Sequence, residues 1–387
     1  WITDVSLQSW MEKPRLAELI LNQSDTNYAM SRVRDYYENF DRIDGYFRDR
    51  KKERLEGVTP SLFPVENEFF NDFTMNPMDM NFAVTETSKE VYDNLFCQVS
   101  SFPADDNPGK NVRFLIKETN TNTIAGFVRL GSPTINSAPR NKMLGNTPDL
   151  TALNRHFIMG FHIVPAQPFG FNYLGGKLLT MICCSHFTRR YLNKKYGVEI
   201  CAFETTSLYG NIKGCSQYDG MKPYLRNVGL TDSKFLLTMA DKWYAELNEW
   251  FINRNGGEHL IKKDASSRKL KTQTKMIAII KASLRSQGRT TDLTDFNDFI
   301  KKAIGLNTQK LQYFSNYGFE NVVDYVNGKT DALIKKPNYD NYELENAINW
   351  WKKKAQKRFD NLNADGRIRH EMEVWKSDNL DSIDIIR

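Results

Sequence analysis

Long apolar runs are missing from these 387 residues: none nears the roughly 18 consecutive apolar positions a membrane helix needs, so no membrane partner is expected. The opening "WITDVSLQSWMEKPRL" lacks the charged, apolar, then small-residue order of a secretory signal, which points to the cytoplasm. A start at Trp1 instead of Met points to an upstream segment trimmed from or left out of the chain. Cysteine is scarce and odd in number: Cys97, Cys183, Cys184, Cys201 and Cys215. That count argues against a disulfide framework and for a reducing compartment. Cys183 and Cys184 are adjacent on an expected helix and cannot easily ligate one metal from one face, and only His162 and His186 lie near the thiols. No metal site is expected, and the thiols read as buried apolar residues. No clustered Asp/Glu motif for two metals stands out, nor any repeat or long low-complexity tract.

The chain does have the makings of a core, with 40% hydrophobic and 12% aromatic residues over a length that suits two or three domains, or one with large extensions. Its net charge of +6 is uneven. Between His259 and Thr290 nine basic residues face Asp264 alone, a local +8 that leaves the rest at −2. A local basic stripe suggests an anionic polymer such as DNA, with Lys262, Lys263, Arg268, Lys269, Lys271, Lys275 and Arg285 as its contacts. Trp243, Tyr244 and Trp250 are possible stacking partners, and the alternative is a solvated helix face. "WWKKKAQKRF", Trp350 to Phe359, repeats the aromatic-plus-basic theme, or forms an amphipathic helix for a partner.

Periodicity divides the chain into a helical region over 1–94, a strand-rich core over 95–240 and a helical, basic region over 241–387. Helix is expected from Lys13 to about Glu56. In the core, "NVRFLIKE" and "IAGFVRLGSP" flank a polar turn as a hairpin, and "RHFIMGFHIVP" is a strand ending at Pro165. A helix bearing Leu178, Leu179, Ile182 and Cys183 follows, then a strand from Val198 to about Thr205, a helix in "CSQYDGMKPYLRNVGL" and a short strand, "SKFLLTMA".

The glycine pair in "NYLGGKLL" falls where the third strand hands over to a helix. Exposed amides and the positive end of the helix dipole suit a phosphate there, and Gly175 and Gly176 would let it reach the backbone without meeting a Cβ. The alternative is close packing of helix on strand. A Walker loop is excluded because Gly176-Lys177 is followed by Leu178, and a Rossmann fingerprint because the third glycine is missing. Glu204 at the end of an apolar strand could deprotonate an incoming amine, or pair with a basic side chain. His162 is a catalytic or a satisfied core histidine. Tyr218 and Tyr224 could supply a proton, and Thr205, Thr206 and Ser207 could bind substrate.

The order of hairpin, central strand "FHIVP", glycine loop, helix and strand "VEICAFETTS" resembles the GNAT acyltransferase superfamily over about a third of the chain. The resemblance implies an α+β, GNAT-like mixed sheet with helical extensions at both ends. It also implies acetyl-coenzyme A or a related acyl-coenzyme A as donor, held by Val164, Asn172, Gly175, Gly176 and Lys177. Catalysis would fall to Glu204 as base and Tyr224 as acid, with His162 near the thioester. The sequence departs from the family in its adjacent glycines, in Asn172 where Gln or Arg is usual, and in a tyrosine five rather than four residues before Gly229.

"KYGVEICAFETT", "GCSQYDG" and "VGLT" further resemble the DruA-type domain of phage and phage-defence proteins. That resemblance implies a viral or mobile-element setting and association with DNA. Together they suggest an acyl group transferase acting on or near nucleic acid, for instance in DNA base modification. The alternative is a non-catalytic GNAT-like protein that binds DNA or joins phage particle proteins in a virion.

Overall fold

The computed structural model describes residues 19–56, 65–101, 107–232, 235–265 and 267–385. Two compact units emerge where the sequence suggested three consecutive regions. The helical unit takes the chain up to Glu53 together with Ser233–Thr308, and the sheet unit takes Arg54–Asp232 together with Gln309–Arg387.

The sheet unit is a mixed α+β structure with seven strands: β1 (Phe82–Glu86), β2 (Asn111–Glu118), β3 (Thr123–Gly131), β4 (Phe157–Pro165), β5 (Ala202–Ser207), β6 (Arg226–Leu230) and β7 (Leu311–Ser315). Their order is β1-β2-β3-β4-β5-β7-β6, and every neighbouring pair is antiparallel except β4 with β5. The expected hairpin is β2–β3. Its turn is held by the buried Glu118 carboxylate, which accepts the amides of Thr121 at 2.9 Å and of Asn120 and Asn81 at 3.1 Å. β2 and β3 are buried along nearly their whole length, with apolar centres, as suits strands covered on both faces. Edge strand β1 alternates between exposed and half-buried residues.

The parallel pair is short. β4 meets β5 only from Phe157 to Gly160 against Ala202 to Thr205. Beyond that point β4 stays with β3, interrupted by a bulge at Phe161, whereas Thr206 and Ser207 continue along β7 alone. The two central strands therefore part after Gly160 and Thr205.

Several expected elements differ. "CSQYDGMKPYLRNVGL" is not a helix: residues 215–225 are turns and loop, and β6 follows. Gly214 and Gly220, both at positive φ, and Pro223 all oppose a helix there. Phe235 to Ala240 of "SKFLLTMA" has no regular structure, and the last strand is Leu311–Ser315, inside the region expected to be helical. The N-terminal helix begins at Gln23 and breaks near Glu38, with Ile43–Glu56 as a separate helix. The part of that expected helix before residue 19 lies outside the described residues, as does Trp1.

The helical unit contains the helices Gln23–Tyr37, Asp241–Arg254, Arg268–Ser286 and Thr290–Ile304, with most of Ile43–Glu56. Its interior is pinned by polar atoms on aromatic residues. Tyr37 donates to the Leu237 carbonyl, Tyr46 to that of Thr238 at 2.6 Å, and buried Gln273 to the Tyr37 hydroxyl at 3.0 Å. "MIAII" packs inward from Arg268–Ser286, with Met276, Ile279 and Ile280 buried.

Candidate functional site

Glu204 and Thr205 lie where β4 and β5 separate. Glu204 stands in register with Met159 of β4 and Phe314 of β7. Its side chain is 2% exposed, and Oε1 accepts from Arg140 Nη1 at 2.8 Å. Arg140 comes from the short helix Ala138–Leu144, and its Nη2 donates to the Ile135 carbonyl at 2.6 Å. Glu204 Oε2 is buried with no hydrogen-bond partner. Burial pushes the carboxyl up to about 7, although the Arg140 charge works against the rise. A buried acid near neutrality with one free oxygen can accept and return a proton.

Next to it on β5, Thr205 Oγ1 donates to the Gly160 carbonyl at 2.8 Å. Tyr218 lies buried against Tyr313, their rings 5.1 Å apart, and Tyr313 donates to Asp219 at 3.1 Å. Burial raises the Tyr218 phenol, opposed in part by hydrogen bonds with Thr205 and Gln217.

The glycine pair opens the helix Gly175–Cys183, directly after Leu174 in the left-handed region at φ 53°. Both glycines are closely packed by the chain itself. A Cβ on Gly175 would come within 2.8 Å of the Phe169 ring and 2.9 Å of Pro165. On Gly176 it would lie 2.0 Å from Gln217 Oε1. Gln217 Nε2 in turn donates to the Ile163 carbonyl of β4 at 3.2 Å, and Lys177 Nζ donates to the carbonyls of Gln217, at 2.8 Å, and Asp219. One carboxamide thus bridges the glycine helix and the separated part of β4. Gly176→Ala should cost about 1–3 kcal/mol by expelling Gln217, and far less in a Gln217→Ala background. Urea denaturation of the four proteins of that cycle measures the coupling; strict additivity would mean that Gln217 is not what the added methyl meets.

The residues expected to work together are spread over separate environments. His162 stacks on Phe96 with centroids 4.1 Å apart, and its Nδ1 lies 3.1 Å from the Tyr92 hydroxyl. Burial, then the nearby Arg129 charge, holds its imidazole well below the ordinary range. Tyr224 packs on Tyr342 and Trp350, with centroids 4.9 and 5.6 Å away, and burial raises its phenol. Val164 pairs with Phe127 of β3. Asn172 is fully buried and exchanges two hydrogen bonds with the main chain of Arg369, at 2.7 and 3.0 Å. Of the expected donor-holding residues, Gly175, Gly176 and Lys177 share the opening of one helix.

In the helical unit, Lys262, Lys263, Lys271 and Arg285 are exposed, and Arg268, Lys269 and Lys275 are half-buried. Lys269 pairs with Asp241 at 2.7 Å, and Arg268 lies 3.1 Å from His259 Nδ1. Burial lowers Lys275. Cys183, Cys184 and Cys201 are buried, which pushes the last two thiols up to about 12; Cys215 is exposed. Among the described residues no three His, Cys, Asp or Glu side chains form a group that could hold a metal ion, and no helix is long and apolar enough to cross a membrane.

Sequence reading missed Arg140 and Gln217. Residues 46–218, which hold the Glu204–Arg140 pair, the glycine helix and Gln217, match the family model of Druantia protein DruA. The chain is DruA-like. Over 164 residues it is 24% identical to Druantia protein DruA of Escherichia coli (strain UMEA 4076-1), an alignment that takes in 39% of this chain and 40% of that protein. No solved structure matches the chain. The DruA-like stretch stops at Tyr218, before β6 and β7 and before most of the helical unit.

Proposed function

We propose that the sheet unit is a GNAT-like group-transfer scaffold in a DruA-like defence protein, with Glu204 as its proton-transferring group and nucleic acid, or something bound to it, as acceptor. The observation that carries the reading is the parting of β4 and β5 beside a buried carboxyl oxygen that lacks a partner. A strand order of β1-β2-β3-β4-β5-β7-β6 with a single parallel pair at the centre supports the GNAT-like part. Exposed Lys262, Lys263, Lys271 and Arg285 support a polyanionic acceptor, encountered in the cytoplasm.

In this reading an acyl-coenzyme A donor would take the place that Gln217 fills beside Gly176 and the Ile163 carbonyl. The Gln217 carboxamide, bonded to the Ile163 carbonyl and seated against Gly176, stands in for an amide-bearing ligand. Ile163 would hold such an amide, Gly176 would leave the backbone open to phosphate with Gln217 moved aside, and Lys177 would add charge when released from Gln217 and Asp219. When bound, the donor supplies an activated acyl group. The chain's part is to seat it, exclude water with the packed aromatic loop and take the acceptor's proton on Glu204 Oε2.

A thermal-shift titration with acetyl-coenzyme A tests the donor. Ligand at about 100 times its dissociation constant adds about 2.7 kcal/mol. The shift should appear in the wild type and grow in Gln217→Ala, which removes the carboxamide. Absence of a shift in both proteins, with both folded, would overturn the donor reading. Gln217 seated on Gly176 would then favour the second reading, a non-catalytic DruA-like protein that binds DNA.

A further inference from the structure

The helix Leu344–Ala364 and the segment after it concentrate charge on the sheet unit. From Trp350 to His370 the chain has seven basic residues against Asp360 and Asp365. Trp351, Ala355, Phe359 and Leu362 face inward, which leaves Lys354 and Lys357 exposed beside half-buried Arg358. Lys354 Nζ lies 5.0 Å from the Trp350 ring. Arg358 and Arg369 both lie over Phe171, their guanidinium carbons 4.7 and 3.5 Å from its centroid. Arg358 Nε donates to the Phe171 carbonyl at 3.1 Å, and Asn172 clamps the backbone of Arg369. Among the described residues none of Lys354, Lys357, Arg358 and Arg369 has a carboxylate partner; Asp365 is taken by Arg367 at 3.0 Å, and Asp360 accepts from Gln356. Burial first, then the Arg367 and Arg369 charges, holds the Arg358 guanidinium below its ordinary value.

Like charges held close together that outnumber their acids repel each other, and an anion relieves that repulsion. The fixing is specific here: an aromatic ring holds two planar guanidinium groups so that N–H edges are left for a ligand, the arrangement that suits phosphate. We infer that Arg358 and Arg369 on Phe171, with Lys354, Lys357 and Arg367 of the same stretch, form a docking surface for the phosphate backbone of a nucleic acid. Because Arg358 and Arg369 lie over Phe171, that ring is not offered to bases, and the binding expected is to phosphates without sequence preference.

The test is fluorescence anisotropy of the full chain with a labelled DNA duplex and, as a second arm, the same strand single. Lys354→Glu/Lys357→Glu/Arg367→Glu should weaken duplex binding by about tenfold or more, and lower the slope of log K against log salt by about 2–3, since each lost phosphate contact removes about 0.9. Arg369→Lys keeps the charge but loses the planar seat on Phe171, and should weaken binding by a few-fold with the slope nearly unchanged. If the triple variant melts below the wild type, Lys354→Gln/Lys357→Gln reads the same slope change by about 2. Equal loss on two unrelated duplexes is expected. Unchanged affinity and slope would overturn the inference, as would a wild type that binds neither DNA at low salt. So would loss confined to Lys262→Glu/Lys263→Glu, which would put the contacts in the helical unit. No acyl donor enters the measurement, so its outcome is separate from that of the titration above.

Discussion

Arg140→Leu should lower the unfolding free energy by about 3–5 kcal/mol near pH 8 and by far less near pH 5. Leucine leaves the Glu204 carboxylate buried without its cation, and removing one partner of a buried pair is more damaging than removing both. The sign follows from the direction of the shift. In the folded protein the carboxyl sits at about 7, above the ordinary 4.5, so the fold prefers it protonated. Its contribution is fully present below about 4.5 and is lost as pH rises through 7, by about 3 kcal/mol in total. Without Arg140, whose charge and hydrogen bond both lower that value, the loss continues above neutrality. Urea denaturation at the two pH values measures it. Adding Glu204→Gln to the variant should return most of the stability near pH 8. An equal loss at both pH values would mean that packing, not the stranded charge, sets the cost.

The second large effect is expected at Trp351. Its ring is fully buried, edge-on to Phe82 at 5.3 Å and beside Phe169 at 6.3 Å, so alanine leaves a large cavity at a cost of about 3–5 kcal/mol. Its Nε1 also donates to the carbonyls of Tyr173 at 3.0 Å and Leu174 at 3.1 Å, the two residues that lead into the glycine pair. Trp351→Phe keeps much of the volume and loses only the donor, so it should cost less and act locally, by speeding amide exchange at Gly175 to Lys177. A loss under about 1 kcal/mol for Trp351→Ala would contradict this account of the core.

The hairpin, the central strand and the glycine helix were legible because their signals are local: short apolar runs in β2 to β4 about a polar turn and a helical spacing in Leu178, Leu179 and Ile182. The unit boundary was not. β7, "LQYFS", has no clean alternation, is short, lies among helices and owes its place to pairing with both β5 and β6. Glu204 could be singled out because an acid ending an apolar strand is unusual. Arg140 lies 64 positions earlier in a short helix, and only the tertiary structure brings the two together. Similarly, two adjacent glycines announced a close approach, but nothing local said that the visitor would be a glutamine 41 residues downstream of Gly176, since that contact depends on where the chain turns after β5.

The helical unit is built from both sides of the sheet's sequence, and synthesis makes that a matter of timing. Tyr46 waits for the Thr238 carbonyl, 192 residues later, which at about 5–20 residues per second is about 10–40 s. During that interval the helices Gln23–Tyr37 and Ile43–Glu56 are out of the ribosome with their aromatic faces uncovered. The sheet is held up too, because β6 pairs with β7 alone and must wait for Leu311. The helical unit is not complete until the ribosome is past Thr308, nor the sheet until it is past Ser315, so a nascent chain that stalls before Thr308 exposes two unfinished surfaces at once and invites chaperones, proteases or aggregation.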